Sequence, residues 1–235
     1  SCWTSVTGTS TVTRPAKVKG AENVEMFGSW IASLMPNGRD LPPDYKWQGG
    51  VAGKPFYCTH FVVHADSPFR RLEDTFGHRF AFTIEDSHSG YSAPRRHLMA
   101  YRKSPSDRLY REIIGPLTTP RRMLEAIVEG RTDVGPLDAY AFALLKRHEL
   151  SLRAVRIIAS TEPVQMPAFV ASPNTPDDVV ETLRATMTTL AGLPAFEAIA
   201  PELCLQGFAR VEPSLWRVTE QWAQEAERGG YATIT

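Results

Sequence analysis

The sequence predicts an α/β protein with mostly parallel sheets, and three observations carry that expectation. Short aromatic and β-branched runs alternate with segments of helical period. Two helices open directly after buried strands, one at Ser87–Tyr91 and one at Asp138. The chain is also long enough, at 235 residues, to bury a large core, with 43% hydrophobic residues and 22% charged. Strands alternating with helices imply βαβ units. Lys+Arg and Asp+Glu are equal at 26 each, which gives no basic surplus to suit nucleic acid. No apolar run approaches the ~20 residues that span a bilayer, and Ser1 onward lacks the charged start and apolar core of a secretory signal.

Residues 1–53 open with a polar, β-branched stretch. Val24–Met35 has the spacing of a short amphipathic helix, and Pro36–Gly53 is punctuated by proline and glycine as a loop. Phe56–His64 reads as a strand, Ser67–Phe76 as a helical turn and Arg79–Ile84 as a second strand. A helix over Ser92–Tyr101 tolerates Pro94 in its first turn. Ile113–Ile114 is a short strand, and Thr119–Glu129 is a helix with Met123, Leu124, Ile127 and Val128 on one face and Gly130 at its end. Thr132–Leu137 is a strand, Asp138 caps the helix 139–148, and Leu152–Ala159 is another strand. Met166–Ala171 is a strand. Thr175, Pro176, Asp177 and Asp178 then supply an N-cap hydroxyl, a proline at the first helical position and two acids for a helix that ends near Gly192. Pro213–Arg228 is the last helix.

The chemistry concentrates at the two helix starts. In an open parallel sheet, strand C-termini and the following helix N-termini share one edge, where ligands bind. Ser87, His88, Ser89 and Gly90 offer backbone N–H groups and two hydroxyls, which suit a small oxyanion. Asp138 offers a carboxylate, which suits a cationic or hydroxyl end of the same ligand. Ser and Asp are also favoured N-caps whatever binds nearby, so simple capping stands as the alternative. The His88 ring, between two serines, is expected to face solvent or the cleft, where a neutral imidazole donates to an oxyanion. Tyr57 is an aromatic able to stack on a ligand or hydrogen-bond to it, and equally able to be core.

Other constellations are weaker. His60 and His64 on one strand stand ~13 Å apart, too far for one metal ion. Cys2, Cys58 and Cys204 are too scattered for a disulfide framework or a zinc site, so no metal and no cofactor is expected. Ser1-Cys2 ahead of a Thr/Ser-rich tether also has the form of a processed lipoprotein start. No nucleophile elbow, P-loop or dinucleotide fingerprint is present in the sequence, and no catalytic residue is assigned.

Tyr57 with FVVHADSPFRRLEDTFGHRFAF, then EDSHSGY, VEGRTDVGPLDAYAF and IIASTEPVQMPAFVAS, resembles the phosphate/phosphite/phosphonate-binding proteins of ABC importers over about residues 55–210. The resemblance implies the type II periplasmic-binding-protein fold, with two α/β lobes joined by a hinge that close on the ligand. It divides the chain into residues 1–60 as the start of lobe 1, 61–160 as lobe 2 with the anion-binding helix start, and 161–235 as the return to lobe 1 with the C-terminal helices. It gives oxyanion binding to Ser87, His88, Ser89 and Gly90, a place on the jaw wall to Tyr57, the ligand's other end to Asp138, and the hinge return to Thr161 and Glu162. It further implies an extracytoplasmic, non-enzymatic protein that takes a small anion such as phosphonate, phosphate or phosphite and hands it to an ABC permease in the membrane. Two departures stand out. His88 occupies a position where phosphonate-binding members usually carry a small hydroxyl residue, and residues 1–53 are short for the usual opening of lobe 1. A ligand-sensing domain of the same fold, or a related-fold enzyme such as a pyrimidine-precursor synthase, is the alternative.

Overall fold

The structure is a computed structural model, and it describes residues 25–32, 55–149, 154–172, 174–210 and 213–235. The expectations for Cys2 and for the loop 36–53 lie outside the described residues. In chain order the strands are β1 (Glu25–Ala32), β2 (Phe56–Tyr57), β3 (Thr59–His64), β4 (Arg79–Ala81), β5 (Glu112–Ile114), β6 (Val134–Asp138), β7 (Val155–Ser160), β8 (Val164–Gln165), β9 (Phe169–Ala171) and β10 (Leu205–Ala209). The helices are α1 (Ala93–Met99), α2 (Pro120–Val128), α3 (Ala139–His148), α4 (Asp177–Thr189), α5 (Pro194–Ile199) and α6 (Arg217–Arg228).

A five-stranded sheet in the order β5-β4-β6-β3-β7 forms one lobe. β5, β4 and β6 run parallel, while β3 runs antiparallel to both β6 and β7. Four strands therefore share one direction and one opposes them. β3 pairs on both edges, and Phe61, Val62 and Val63 are fully buried because each face of the strand meets a helical layer. On one face Phe61, Val63, Phe80 and Leu98 form a core. On the other, Val62 and Ala81 meet Met123, Leu124 and Ile127 of α2 and Phe142 of α3.

The smaller lobe is built on an antiparallel sheet in the order β10-β1-β9, with α4 packed against β1 and β10. Its sheet differs from the mostly parallel expectation because its strands are brought together by long returns from elsewhere in the chain. Residues 25–32 are strand, which corrects the helix expected over Val24–Met35; pairing with β9 and β10, 137 or more residues away in sequence, overrides the local spacing.

The lobes are joined at a two-stranded ladder of β2 with β8, in which Phe56 faces Gln165 and Tyr57 faces Val164. The strand expected over Phe56–His64 thus divides at Cys58, where the chain leaves this ladder for the larger sheet. The strand expected over Met166–Ala171 likewise resolves into β8 and β9. Thr161 follows β7 at the return crossing, where its N–H bonds the Thr59 carbonyl at 2.9 Å and its hydroxyl accepts from Thr59 N–H at 3.0 Å.

Helix ends follow capping chemistry. Thr119 caps α2 ahead of Pro120, and Asp138 caps α3, accepting from Ala141 N–H at 2.7 Å. α4 begins one residue later than expected, with Pro176 as the capping position and Asp177 and Asp178 in the first turn. The final helical segment is a short 3₁₀ turn over Pro213–Trp216 followed by α6. α6 packs against α1, and Tyr231 and Ile234 fill the core of the larger lobe. Arg95 fixes the segment by donating to the Ala223 carbonyl at 3.1 Å and to the Ala232 carbonyl.

Candidate functional site

β4 and β6 are parallel neighbours, so their C-terminal ends lie on one edge of the larger sheet, as the sequence pattern anticipates. Because β3 is antiparallel, its N-terminal end reaches that same edge, and Thr59 stands directly opposite Asp138. The edge therefore gathers the loop after β4, the cap of α3 and, two residues before Thr59, Tyr57 at the lobe junction.

The loop after β4 delivers Ser87 as an N-cap. Its hydroxyl accepts from Gly90 N–H at 2.9 Å, and its carbonyl accepts from Tyr91 and Ser92 N–H, both at 3.1 Å. The bond from Ser92 makes His88–Ser92 a single π-helical turn, a rare geometry that is frequent at functional sites. The cap bond goes to Gly90 N–H and the backbone bonds of the turn begin at Tyr91, which leaves the His88 and Ser89 N–H groups with no acceptor among the described residues. Gly90 is required here by close approach. A Cβ at this position would stand 3.0 Å from Ser87 Oγ and 3.1 Å from Thr83 Cβ, and nearer still to Thr83 Oγ1.

Tyr57 is buried, and its hydroxyl lies beside the Ser89 side chain. Burial and the nearby Asp138 charge hold the phenol well above its ordinary pKa, outweighing the opposing effect of Ser89, so it stays a hydroxyl. The Asp138 residue keeps some exposed surface, yet its carboxylate is packed among protein groups. Desolvation pushes its pKa up, and the Ala141 and Tyr140 backbone bonds only partly offset this. Tyr140, in the first turn of α3, is pushed up to about 12 by burial and by Cys204 and Asp138. The structure thus brings together Tyr57, Ser87, Ser89, Gly90 and Asp138.

His88 does not face solvent. Its ring is 5% exposed and stacks on Trp222 of α6, with centroids 5.6 Å apart and planes inclined by 27°. Neither ring nitrogen has a hydrogen-bond partner among the described residues, and burial lowers the pKa to about 4, so the ring is neutral. Trp222 was legible in the sequence only as an apolar position of the last helix. Its position beneath the loop depends on α6 crossing to the larger lobe, which no local signal announces. Trp222 also carries the Arg96 guanidinium 4.6 Å from its ring, and Arg96 pairs with Glu225 at 2.8 Å and with Glu162, at the return crossing, at 3.1 Å.

His60 and His64 lie in β3. His60 Nδ1 bonds Ser160 Oγ at 2.7 Å, and burial lowers the His60 pKa to about 4. Among the described residues no three His, Cys, Asp or Glu side chains could hold a metal ion, and no helix is long and apolar enough to cross a membrane.

A family of proteins described as ABC transporter, phosphonate, periplasmic substrate-binding protein matches residues 47–216. No curated protein matches the sequence. Among solved structures, a binding protein component of an ABC phosphonate transporter from Pseudomonas aeruginosa is similar at 14% identity and a TM-score of 0.71, covering 95% of this chain and 72% of that one. PhnD1 from Prochlorococcus marinus, in complex with methylphosphonate, is similar at 12% identity and a TM-score of 0.70, covering 96% of this chain and 83% of that one. A Xanthomonas citri protein bound to chloride is similar at 19% identity and a TM-score of 0.57, covering 94% of this chain and 81% of that one. At these identities the solved structures establish the fold, which is that of type II periplasmic binding proteins.

Proposed function

The chain belongs to the phosphonate substrate-binding proteins of ABC transporters, and from that membership we propose that the edge holding Ser87–Gly90, Tyr57 and Asp138 is where it captures a small oxyanion. Membership makes the protein a solute-binding component that works outside the cytoplasm with a membrane permease.

The observation that carries the reading is the meeting of the Tyr57 and Ser89 hydroxyls beside two uncommitted N–H groups, those of His88 and Ser89. An oxyanion there receives main-chain N–H and side-chain O–H donors at the positive end of a helical segment. Asp138 lies close enough to raise the Tyr57 pKa and repels a second anionic group. The preferred ligand therefore has one oxyanion end and an opposite end that is neutral or hydrogen-donating, a description methylphosphonate satisfies.

His88 supports this reading indirectly: it braces the loop against Trp222. The enzyme alternative would need a reactive imidazole open to the ligand, and the stacked, desolvated ring does not favour that role. Lobe closure then reports occupancy to the permease as a shift between open and closed populations.

The test is calorimetric titration and thermal melting with methylphosphonate, phosphate, phosphite and sulfate. At least one phosphorus oxyanion is expected to raise the melting temperature, and Ser89→Ala is expected to weaken its binding by about tenfold, the loss of one hydrogen bond to a charged group. Stabilisation by neutral or cationic compounds alone, or consumption of the bound compound, would overturn the reading.

A further inference from the structure

The lobes also meet along α3, beyond the connecting strands. The turn after α5, at Pro201–Cys204, belongs to the smaller lobe because β10 follows it directly and pairs with β1. Two consecutive residues of this turn reach α3 of the larger lobe. The Leu203 carbonyl accepts from the Tyr140 hydroxyl at 2.9 Å, in the first turn of the helix. The Glu202 carbonyl accepts from His148 Nε2 at 2.6 Å, in its last turn. The Glu202 carboxylate also takes two bonds from Arg147, at 2.5 Å and 3.3 Å.

The turn itself is strained at this point. Cys204 is one of two non-glycine residues with positive φ among the described residues, at 50°, and strain of this kind is retained where surrounding contacts over-determine it. Arg147 and His148 are also basic groups in the last turn of the helix, where the macrodipole favours positive charge.

We propose that the Glu202–Leu203 turn is a latch that holds the two lobes together through α3, the helix capped by Asp138, and so sets how far the ligand-free protein stays closed. α3 rises ~1.5 Å per residue, so Arg147 stands about 13 Å along the helix from Asp138. A hinge rotation of about 15° over that lever displaces it by about 3 Å. The Arg147 and His148 bonds, of 2.5–3.3 Å, do not survive such a displacement, so opening the cleft breaks the far end of the latch first. The helix cap beside the proposed ligand site and the interlobe contact are then two ends of one rigid element. The consequence for uptake rests on the solute-binding reading.

Small-angle X-ray scattering of the ligand-free protein tests it. Glu202→Ala and Arg147→Ala are each expected to enlarge the radius of gyration, as the closed-to-open ratio falls about two- to fivefold for loss of one exposed charged contact. The swapped double variant Arg147→Glu with Glu202→Arg is expected to return toward the wild-type radius. Equal radii in all four proteins, or no recovery in the swap, would overturn the latch. Because no ligand is present, either outcome is independent of whether an oxyanion binds.

Discussion

Replacing Gly90 by alanine challenges the proposed site at its tightest point. Gly90 has an ordinary negative φ, so the substitution imposes no backbone strain and its effect is purely one of space. The new methyl would stand 3.0 Å from Ser87 Oγ and 3.1 Å from Thr83 Cβ, and closer than either to Thr83 Oγ1. Thr83 is 6% exposed and cannot swing away into solvent. Overpacking of this kind costs ~1–3 kcal/mol, and in a chain of this size ~2 kcal/mol lowers the melting temperature by ~4–8 °C. The π-turn must also shift, which carries the His88 and Ser89 N–H groups off their positions, and binding of the proposed oxyanion, with methylphosphonate as the probe, is expected to weaken more than tenfold. Thr83→Ala removes the hydroxyl responsible, so the Gly90→Ala, Thr83→Ala double variant is expected to recover ~1 kcal/mol or more over the sum of the single effects. Urea denaturation and calorimetric titration of the four proteins give both numbers. If Gly90→Ala melts and binds as the wild type does, the close approach and its place in the anion site are both wrong.

Two pH dependences follow from the buried groups. His60 and His88 have folded pKa values of about 4 against an ordinary 6.5, so the stability they confer is present above 6.5 and is lost as pH falls toward 4. Two such groups give a slope approaching ~2.7 kcal/mol per pH unit within that window, checked by urea midpoints between pH 7 and 4. An imidazole NMR titration placing either ring near 6.5 would contradict its burial. Asp138 has the opposite sign. Its raised folded pKa makes its contribution complete below the unfolded value near ~3.9, and that contribution is lost as pH rises through the folded value. Asp138→Asn, which keeps the cap, is therefore expected to leave the ligand-free protein at least as stable at pH 7 and to remove that segment of the pH curve. A neutral-pH loss larger than ~1 kcal/mol would show that the carboxylate has a structural partner.

What the sequence made legible were features with local causes. Thr119-Pro120 and Asp138 start their helices where side-chain capping requires, and Ser87 caps the turn it was expected to cap. The shared edge of β4 and β6 followed from strand-helix alternation alone. Long-range pairing was not legible: β1 looked helical until β9 and β10 paired with it. Nor was the direction of β3, although its reversal is what brings Tyr57 alongside Asp138. His88 shows the limit most clearly. Its neighbours in sequence are hydroxyls and argue for exposure, whereas its neighbour in space is Trp222, 134 positions later.

The path of α6 bears on how the protein comes to be folded. The larger lobe takes its sheet from residues 59–160 and part of its core from Tyr231 and Ile234, with Leu109 N–H bonded to the Thr235 carbonyl at 2.8 Å. During synthesis the sheet strands emerge first, yet two large side chains of their core are still to come. The lobe cannot close its interior until residue 235 is available, and contacts spanning more than 120 positions raise the contact order and slow folding. The smaller lobe is interleaved in the same way, since β1 waits for β9 and β10. Neither half can therefore mature as an independent unit, and the two lobes are expected to become native together, late and cooperatively.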